Sequence, residues 1–381
     1  MSEKSYIIKL KPVTPYFFGG ENTFGEHGSQ NYYAISELLP QPSSIIGLMR
    51  FLILKNNLGL ECKDYKKIQE EIGDSSFQLD NLEKQTFGKL YAVSPVFITD
   101  GEGSYFVKLP QDYSYTVTKL ETVTSEDSRN KGLKVSHACK GMVEIRDCNN
   151  KLFKFKKFKN YESWLKVTHK DNKVQCEKVD ESEIFVKDER VGINKADNMH
   201  EKRGFFKQRM VRFKGKHAFV FTAKVDECGS KTLLQMNGDT VKLGSSSLFV
   251  MEITEGDLKW EKIFASANRS YAKNTVKDTD ACSLGKIVML SDLYVPDFSK
   301  LRENCVYIWG ESKPFRSVVS NSKTPHSWSN HTKSALFRIM PAGTVLFFEE
   351  NNGANVKKLI TGLDNEEKVS VIQNKGINLF V

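Results

Sequence analysis

The chain has 381 residues, 39% hydrophobic, 27% charged and 11% aromatic, which excludes a disordered, a collagen-like and a small disulfide-stapled protein. Its net charge of +9 is local: Lys151–Lys159 and Lys202–Lys216 carry five and seven Lys/Arg and no acid, leaving 9 − 12 = −3 for the remaining 357 residues. That is the footprint a polyanion would need, with a solvated strand face as the plainer alternative.

Taken in chain order, Ser5–Leu10 alternates as a strand, with Tyr6, Ile8 and Leu10 on one face. A long polar connection follows through Gly19, Gly20, Gly25 and Gly28, of a length that suggests a binding role. Pro40 to Ser44 ends it and opens a helix reaching about Asn56, since Pro suits a first turn and Ser caps free amides. Ile45, Leu48, Met49 and Leu52 make the apolar stripe of this helix, while Ser43, Gly47 and Arg50 share another face. Gly47 reads as a site of close helix–strand packing.

Tyr65–Ile72 is a second amphipathic stretch, and Leu90–Ile98 with Tyr105–Leu109 reads as a hairpin around Asp100-Gly101. Gln111–Lys187 is more polar and reads as an insertion. Strands resume at Arg190–Ile193, Gly204–Phe213 and His217–Val225, the last two flanking a turn at Gly215. A short helix at Lys231–Met236 and a strand at Leu248–Ile253 follow. Further strands fall at Lys286–Leu290, Val306–Trp309, Ala335–Ile339, Thr344–Glu349 and Lys368–Ile372. The fold class is α+β with antiparallel sheets, divided into 1–255 and 256–381.

Chemistry-bearing motifs are missing from this pattern. No phosphate-binding glycine loop, dinucleotide fingerprint, zinc-protease helix or nucleophile elbow is present. His326 and His331 lack companions for a zinc site, so no metal or other cofactor is expected. His27, His137, His169, His200 and His217 leave open a metal-free nuclease, which needs only a base near a 2′-hydroxyl and a cation near the phosphate. Seven scattered cysteines without a C-x-x-C pair fit a reducing cytoplasm. The sequence offers no apolar run of about 18 residues for a membrane span and no signal region at its start.

The two basic segments carry the functional signal. Lys151–Lys159 interleaves Lys156 and Lys157 with Phe153, Phe155 and Phe158, either a phosphate-tracking surface or a charged sheet edge. Lys202–Lys216 sets Arg203, Lys207, Arg209 and Arg212 around Phe206, with cations on both faces of a strand. That arrangement suggests a hairpin lying against something anionic.

Pro15-Tyr16-Phe17-Phe18-Gly19-Gly20, followed by Leu39 to Arg50 (LPQPSSIIGLMR), resembles the opening of the RAMP superfamily of CRISPR proteins. Specifically, it is similar to subunit three of the type III-B (Cmr) effector complex. Val191–Ile193 with Gly204–Phe206, the loop Leu243–Leu248, and Leu336–Phe348 (LFRIMPAGTVLFF) match later family segments in the same order. Two glycines follow the Phe pair where the family often carries a charge, and Gly244 and Gly376 are the single glycines left in two family loops.

The resemblance implies two ferredoxin-like (RRM-like) domains and a non-catalytic protein that caps the crRNA 5′ tag. The implied partners are the large polymerase/cyclase-type subunit and the first backbone RAMP subunit, with no membrane. Gly19, Gly20, Ser43, Ser44 and Arg50 would then serve the RNA beside the basic segments. Gly244, Ser245 and Ser246 would give backbone amides to a phosphate; plain helix caps and an ordinary turn are the other readings. A RAMP-type endoribonuclease processing repeat RNA, or the equivalent type III-A subunit, are the alternatives.

Overall fold

Strand β1, Lys4–Pro12, realises the alternation at the start of the chain: Tyr6, Ile8 and Leu10 are all fully buried. The computed structural model describes residues 3–19, 31–73, 77–79, 85–113, 115–117, 123–125, 134–139, 142–146, 152–153, 162–170, 173–194, 204–245, 247–269, 285–320, 331–362 and 372–381. The class is α+β with mostly antiparallel sheets. The chain forms two compact units, one of residues 1–102, 182–258 and 314–337, the other of 103–181, 259–313 and 338–381.

The first unit contains β2 (Asn31–Ile35), α1 (Pro42–Asn57), α2 (Tyr65–Ile72), β3 (Leu90–Val93) and β4 (Phe97–Thr99). It continues with β5 (Phe185–Asn194), β6 (Gly204–Phe213), β7 (Ala218–Val225), α3 (Glu227–Gln235), β8 (Thr240–Leu243) and β9 (Ser247–Glu255). Its main sheet is antiparallel in the order β4-β7-β1-β9-β8, with β3 also paired to β7. Along the chain this is β-α-β followed by β-α-β. Helix α1 buries Ile45, Leu48, Met49 and Leu52 as its spacing requires, and packs with α2, α3 and β3. An aromatic core joins Tyr16, Phe18, Phe213, Phe219 and Phe249, the Phe213 and Phe219 rings 4.8 Å apart.

A second sheet in this unit has the order β5-β6-β2, with β5 antiparallel and β2 parallel to β6. The Gly215 turn does connect β6 to β7, at φ +65°, but the two strands enter different sheets. The physical reason is burial. Every residue of β7 except Lys224 is buried, so it needs apolar cover on both faces, which the charged β6 cannot supply.

In the second unit, Gly285–Val288 and Tyr307–Trp309 flank Val345–Phe348, all antiparallel. The chain end adds to the other side, where Val288 and Val381 exchange backbone hydrogen bonds of 2.9 and 3.0 Å. Helices Phe298–Asn304 and Gly353–Thr361 contribute Leu301, Val356 and Ile360 to its core, beside Ile308 and Leu346. A hairpin, Ser163–Lys170 with Lys173–Asp180, pairs with Ser104–Lys108 in the same unit. Burial pushes the Cys305 thiol up to about 12 and the Lys375 ammonium down to about 8. The expected strand at Lys368–Ile372 lies almost wholly outside the described residues.

Candidate nucleic-acid interface

The face of β5-β6-β2 follows from its register. Lys207 on the central strand stands between Val191 and Tyr33, and Arg209 between Glu189 and Ile35. Side chains two apart on a strand share a face, so these six form one surface. It is open: Val191 is 70% exposed, Ile35 52% and Tyr33 42%. Exposed aliphatic and aromatic groups beside cations are what a single-stranded nucleic acid meets on a stacking platform.

Within this surface Glu189 is the hub. Its carboxylate lies 2.6 Å from Lys207 Nζ and 3.3 Å from Arg209 Nη2, and accepts from the Tyr33 hydroxyl at 3.4 Å. Both cations also lie against the Tyr33 ring, Lys207 Nζ at 5.5 Å and Arg209 Cζ at 5.2 Å from its centroid. The hydrogen bond from Lys207, with help from Arg209, holds the Glu189 carboxyl below its usual range. Arg212 projects from the other face and pairs with Asp188 at 3.0 Å. It borders a cleft of about 540 Å³ together with Lys11, Lys216, His217, Asp100 and Glu102.

The segment that holds no acid in the linear sequence is therefore not unopposed. Asp188 and Glu189 on the neighbouring strand reduce the three cations to a local 3 − 2 = +1. The anion that cations on both faces called for is, in the free chain, supplied from within.

The other nominated residues are placed as follows. Arg50 is half-buried and donates from Nε to the Ile72 carbonyl at 2.6 Å and from Nη2 to the Gly73 carbonyl at 3.3 Å, with its guanidinium over Phe87. It thereby ties α1 to the end of α2. Ser43 and Ser44 are not caps: Gln41 holds the cap position without a side-chain bond, and the serines fall in the first turn after Pro42. Ser44 is exposed, and Ser43 Oγ lies 3.4 Å from Gln41 Oε1. Gly47 is exposed, and among the described residues nothing lies within 4 Å of a Cβ built there, so close packing does not account for it.

Gly19 is exposed, next to the buried Tyr16, Phe17 and Phe18. Gly244 has φ +73°, and a Cβ there would overlap the Phe17 carbonyl oxygen. The Ser245 amide donates to that same oxygen at 3.1 Å. This loop is a packing element against the Phe pair. Gly20, Lys156, Lys157, Arg203 and Ser246 lie outside the described residues, and of Phe206 only the backbone is described. Of the histidines weighed for a nuclease, His169 and His217 have described side chains, and each turns a ring nitrogen to a backbone carbonyl, of Ile263 and Lys214. Among the described residues no three His, Cys, Asp or Glu side chains gather as a metal site. No helix among them is long and apolar enough to cross a membrane.

The family model described as CRISPR-associated protein (Cas_Cmr3) matches residues 8–368 of the chain. This chain belongs to that family, that of Cmr subunit three. A search of curated proteins gave no match. One similar solved structure is a chain of the type III-B Cmr-beta complex bound to cognate target RNA: 13% identity, 99% of this chain, 96% of that one, TM-score 0.47. Another, of Cmr-beta with cognate target RNA and AMPPnP, has 12% identity over 96% of this chain and 90% of that one, TM-score 0.45.

For this Cas_Cmr3 chain, sequence reasoning missed Tyr33, Ile35, Val191, Asp188 and Glu189. The β2 strand was hidden inside what reads as one long loop, although Tyr32-Tyr33-Ala34-Ile35 carries the aromatic and β-branched residues strands favour. The strand read as starting at Arg190 begins at Phe185, which brings both acids into register with the cations.

Proposed function

We propose that this chain is the RNA-binding third subunit of a type III-B Cmr interference complex. It holds the 5′ tag of the crRNA, contacts the large polymerase/cyclase-type subunit and the backbone subunit, works in the cytoplasm and catalyses no reaction itself. Family membership across residues 8–368 supports the complex. The observation that carries the RNA role is the open β5-β6-β2 face, where Lys207 and Arg209 flank exposed Tyr33. Phosphates would meet the two cations, and a base would lie on the apolar groups beside them.

Two ferredoxin-like domains form part of the reading. In each unit the strand order second-third-first-fourth supports it, with α1 and α2 after the first strand and α3 after the third in the first unit, and Phe298–Asn304 and Gly353–Thr361 in those places in the second. The test is recovery of the tagged chain from its native host, with sequencing of bound RNA and mass spectrometry of bound proteins. The reading expects crRNAs with a common 5′ end together with other Cmr subunits; recovery without crRNA contradicts it. Incubation of the purified chain with repeat RNA should leave the RNA intact. Site-specific cuts would favour a processing nuclease.

A further inference from the structure

An exposed carboxylate shared by two cations and a phenol has the same hydrogen-bond pattern as a phosphate oxygen pair. Glu189 Oε2 meets Lys207, and Oε1 meets both Arg209 and Tyr33. Lys207 and Glu189 are 45% and 40% exposed, so this cluster sits in water and exchanges partners at little cost. Among the described residues no other side-chain acceptor meets Lys207 or Arg209, and Glu189 meets only these two cations and Tyr33. The carboxylate therefore fixes two long side chains that would otherwise sample many rotamers, and it does so over the Tyr33 ring.

We infer that Glu189 is a built-in stand-in for RNA phosphate: its carboxylate occupies the place between Lys207, Arg209 and the Tyr33 hydroxyl that a backbone phosphate takes when a single strand docks. The inference rests on the RNA-binding reading above and adds to it a regulating residue. While the face is empty, Glu189 keeps both cations extended and lowers the local positive charge. When RNA arrives, phosphate displaces the carboxylate, so binding is an exchange of one anion for another. The gain per contact is then smaller than for a free cation. Weak strands are rejected, and only RNA that also contacts the surrounding apolar groups is held. A protein partner with an acidic loop would make the same exchange, and the experiment separates the two.

The test uses the full chain, titrated at several salt concentrations with a labelled single-stranded RNA of the crRNA 5′-tag sequence and, in a parallel arm, with a labelled polyglutamate peptide standing for an acidic protein partner. Glu189→Gln keeps the shape and removes the charge; Glu189→Ala is the second variant, and both should melt like the wild type because the site is exposed. The expected result is RNA binding about three- to tenfold tighter, with the slope of log K against log[salt] steeper by about 0.7, one more net phosphate contact. The gain should vanish when Lys207→Ala and Arg209→Ala are also present, because the effect acts through those cations. Wild-type RNA binding that Glu189→Gln leaves unchanged or weakens overturns the inference while the RNA-binding reading stands. So does a gain that persists without Lys207 and Arg209, or one seen only toward an acidic partner protein. RNA binding by neither the wild type nor Glu189→Gln overturns the reading itself and the inference with it.

Discussion

Arg50 and Arg209 carry the same guanidinium group to opposite ends. Arg50 is half-buried and donates to two carbonyls that close a helix terminus. A helix end left without those donors has orphaned acceptors, so the fold itself needs this charge. Arg209 lies on an open sheet face and shares an exposed carboxylate with Lys207. Exposed pairs of that kind contribute roughly 0–1 kcal/mol and are readily traded for another anion. The comparison separates charge built into the fold from charge held in reserve, and the acceptor type tells them apart.

The largest effect expected is on the fold side. Arg50→Ala should lower unfolding stability by about 1.5–3 kcal/mol, the range for hydrogen bonds that involve a charged group. RNA affinity of the folded fraction should be unchanged. Chemical denaturation and anisotropy titration read the two quantities, and a loss of affinity at unchanged stability would erase the distinction. Gly244→Ala should cost about 1–3 kcal/mol, since its positive φ and the Phe17 carbonyl both exclude a Cβ.

On the open face the expected losses are in binding. Tyr33→Ala should weaken RNA binding by about 1–3 kcal/mol while the melting temperature stays near that of the wild type. A drop in stability instead would show Tyr33 to be part of the fold. Gly47→Ala goes in the opposite direction. On the exposed face of α1 it should raise stability by about 0.5–1 kcal/mol, seen as a higher denaturant midpoint. The smallest effect is one of constancy. Lys207 keeps the Glu189 carboxyl below its usual range, so the group stays charged down to more acid pH than a free carboxylate. The stability this gives is present above the unfolded carboxylate pKa and is lost only as pH falls through the lower, folded one. The affinity ratio of Glu189→Gln to wild type should therefore stay flat from pH 8 down to about 4.3, where a free glutamate is already half protonated; a ratio that has lost half its excess by that pH would mean a carboxyl that titrates normally.

What was legible in the sequence is what periodicity and burial dictate locally. Tyr6, Ile8 and Leu10 and the α1 stripe were readable because each repeat has one apolar face and a core to meet. The order of short signatures along the chain was enough for the family. The site was only half legible. Lys207, Arg209 and Arg212 stood out as a run, but their partners come from a strand some twenty residues earlier, and cross-strand register cannot be seen in a linear charge count. Tyr33 was hidden because a five-residue strand between a glycine-rich stretch and the Pro40–Pro42 helix start reads as loop. The serines of α1 were misplaced by a helix that starts at Pro42 with Gln41 as its cap.

The most direct test of the account is the salt dependence of binding to the 5′-tag RNA for the wild type, for Arg50→Ala, and for the triple variant Lys207→Ala, Arg209→Ala, Arg212→Ala. Each phosphate contact on a single strand contributes about 0.7 to the slope of log K against log[salt], so the triple variant should be shallower by about 1.4 units, from Lys207 and Arg209 with Arg212 on the other face adding nothing, and Arg50→Ala should match the wild type. A triple variant with wild-type affinity and slope would contradict the account and leave this face a solvated surface.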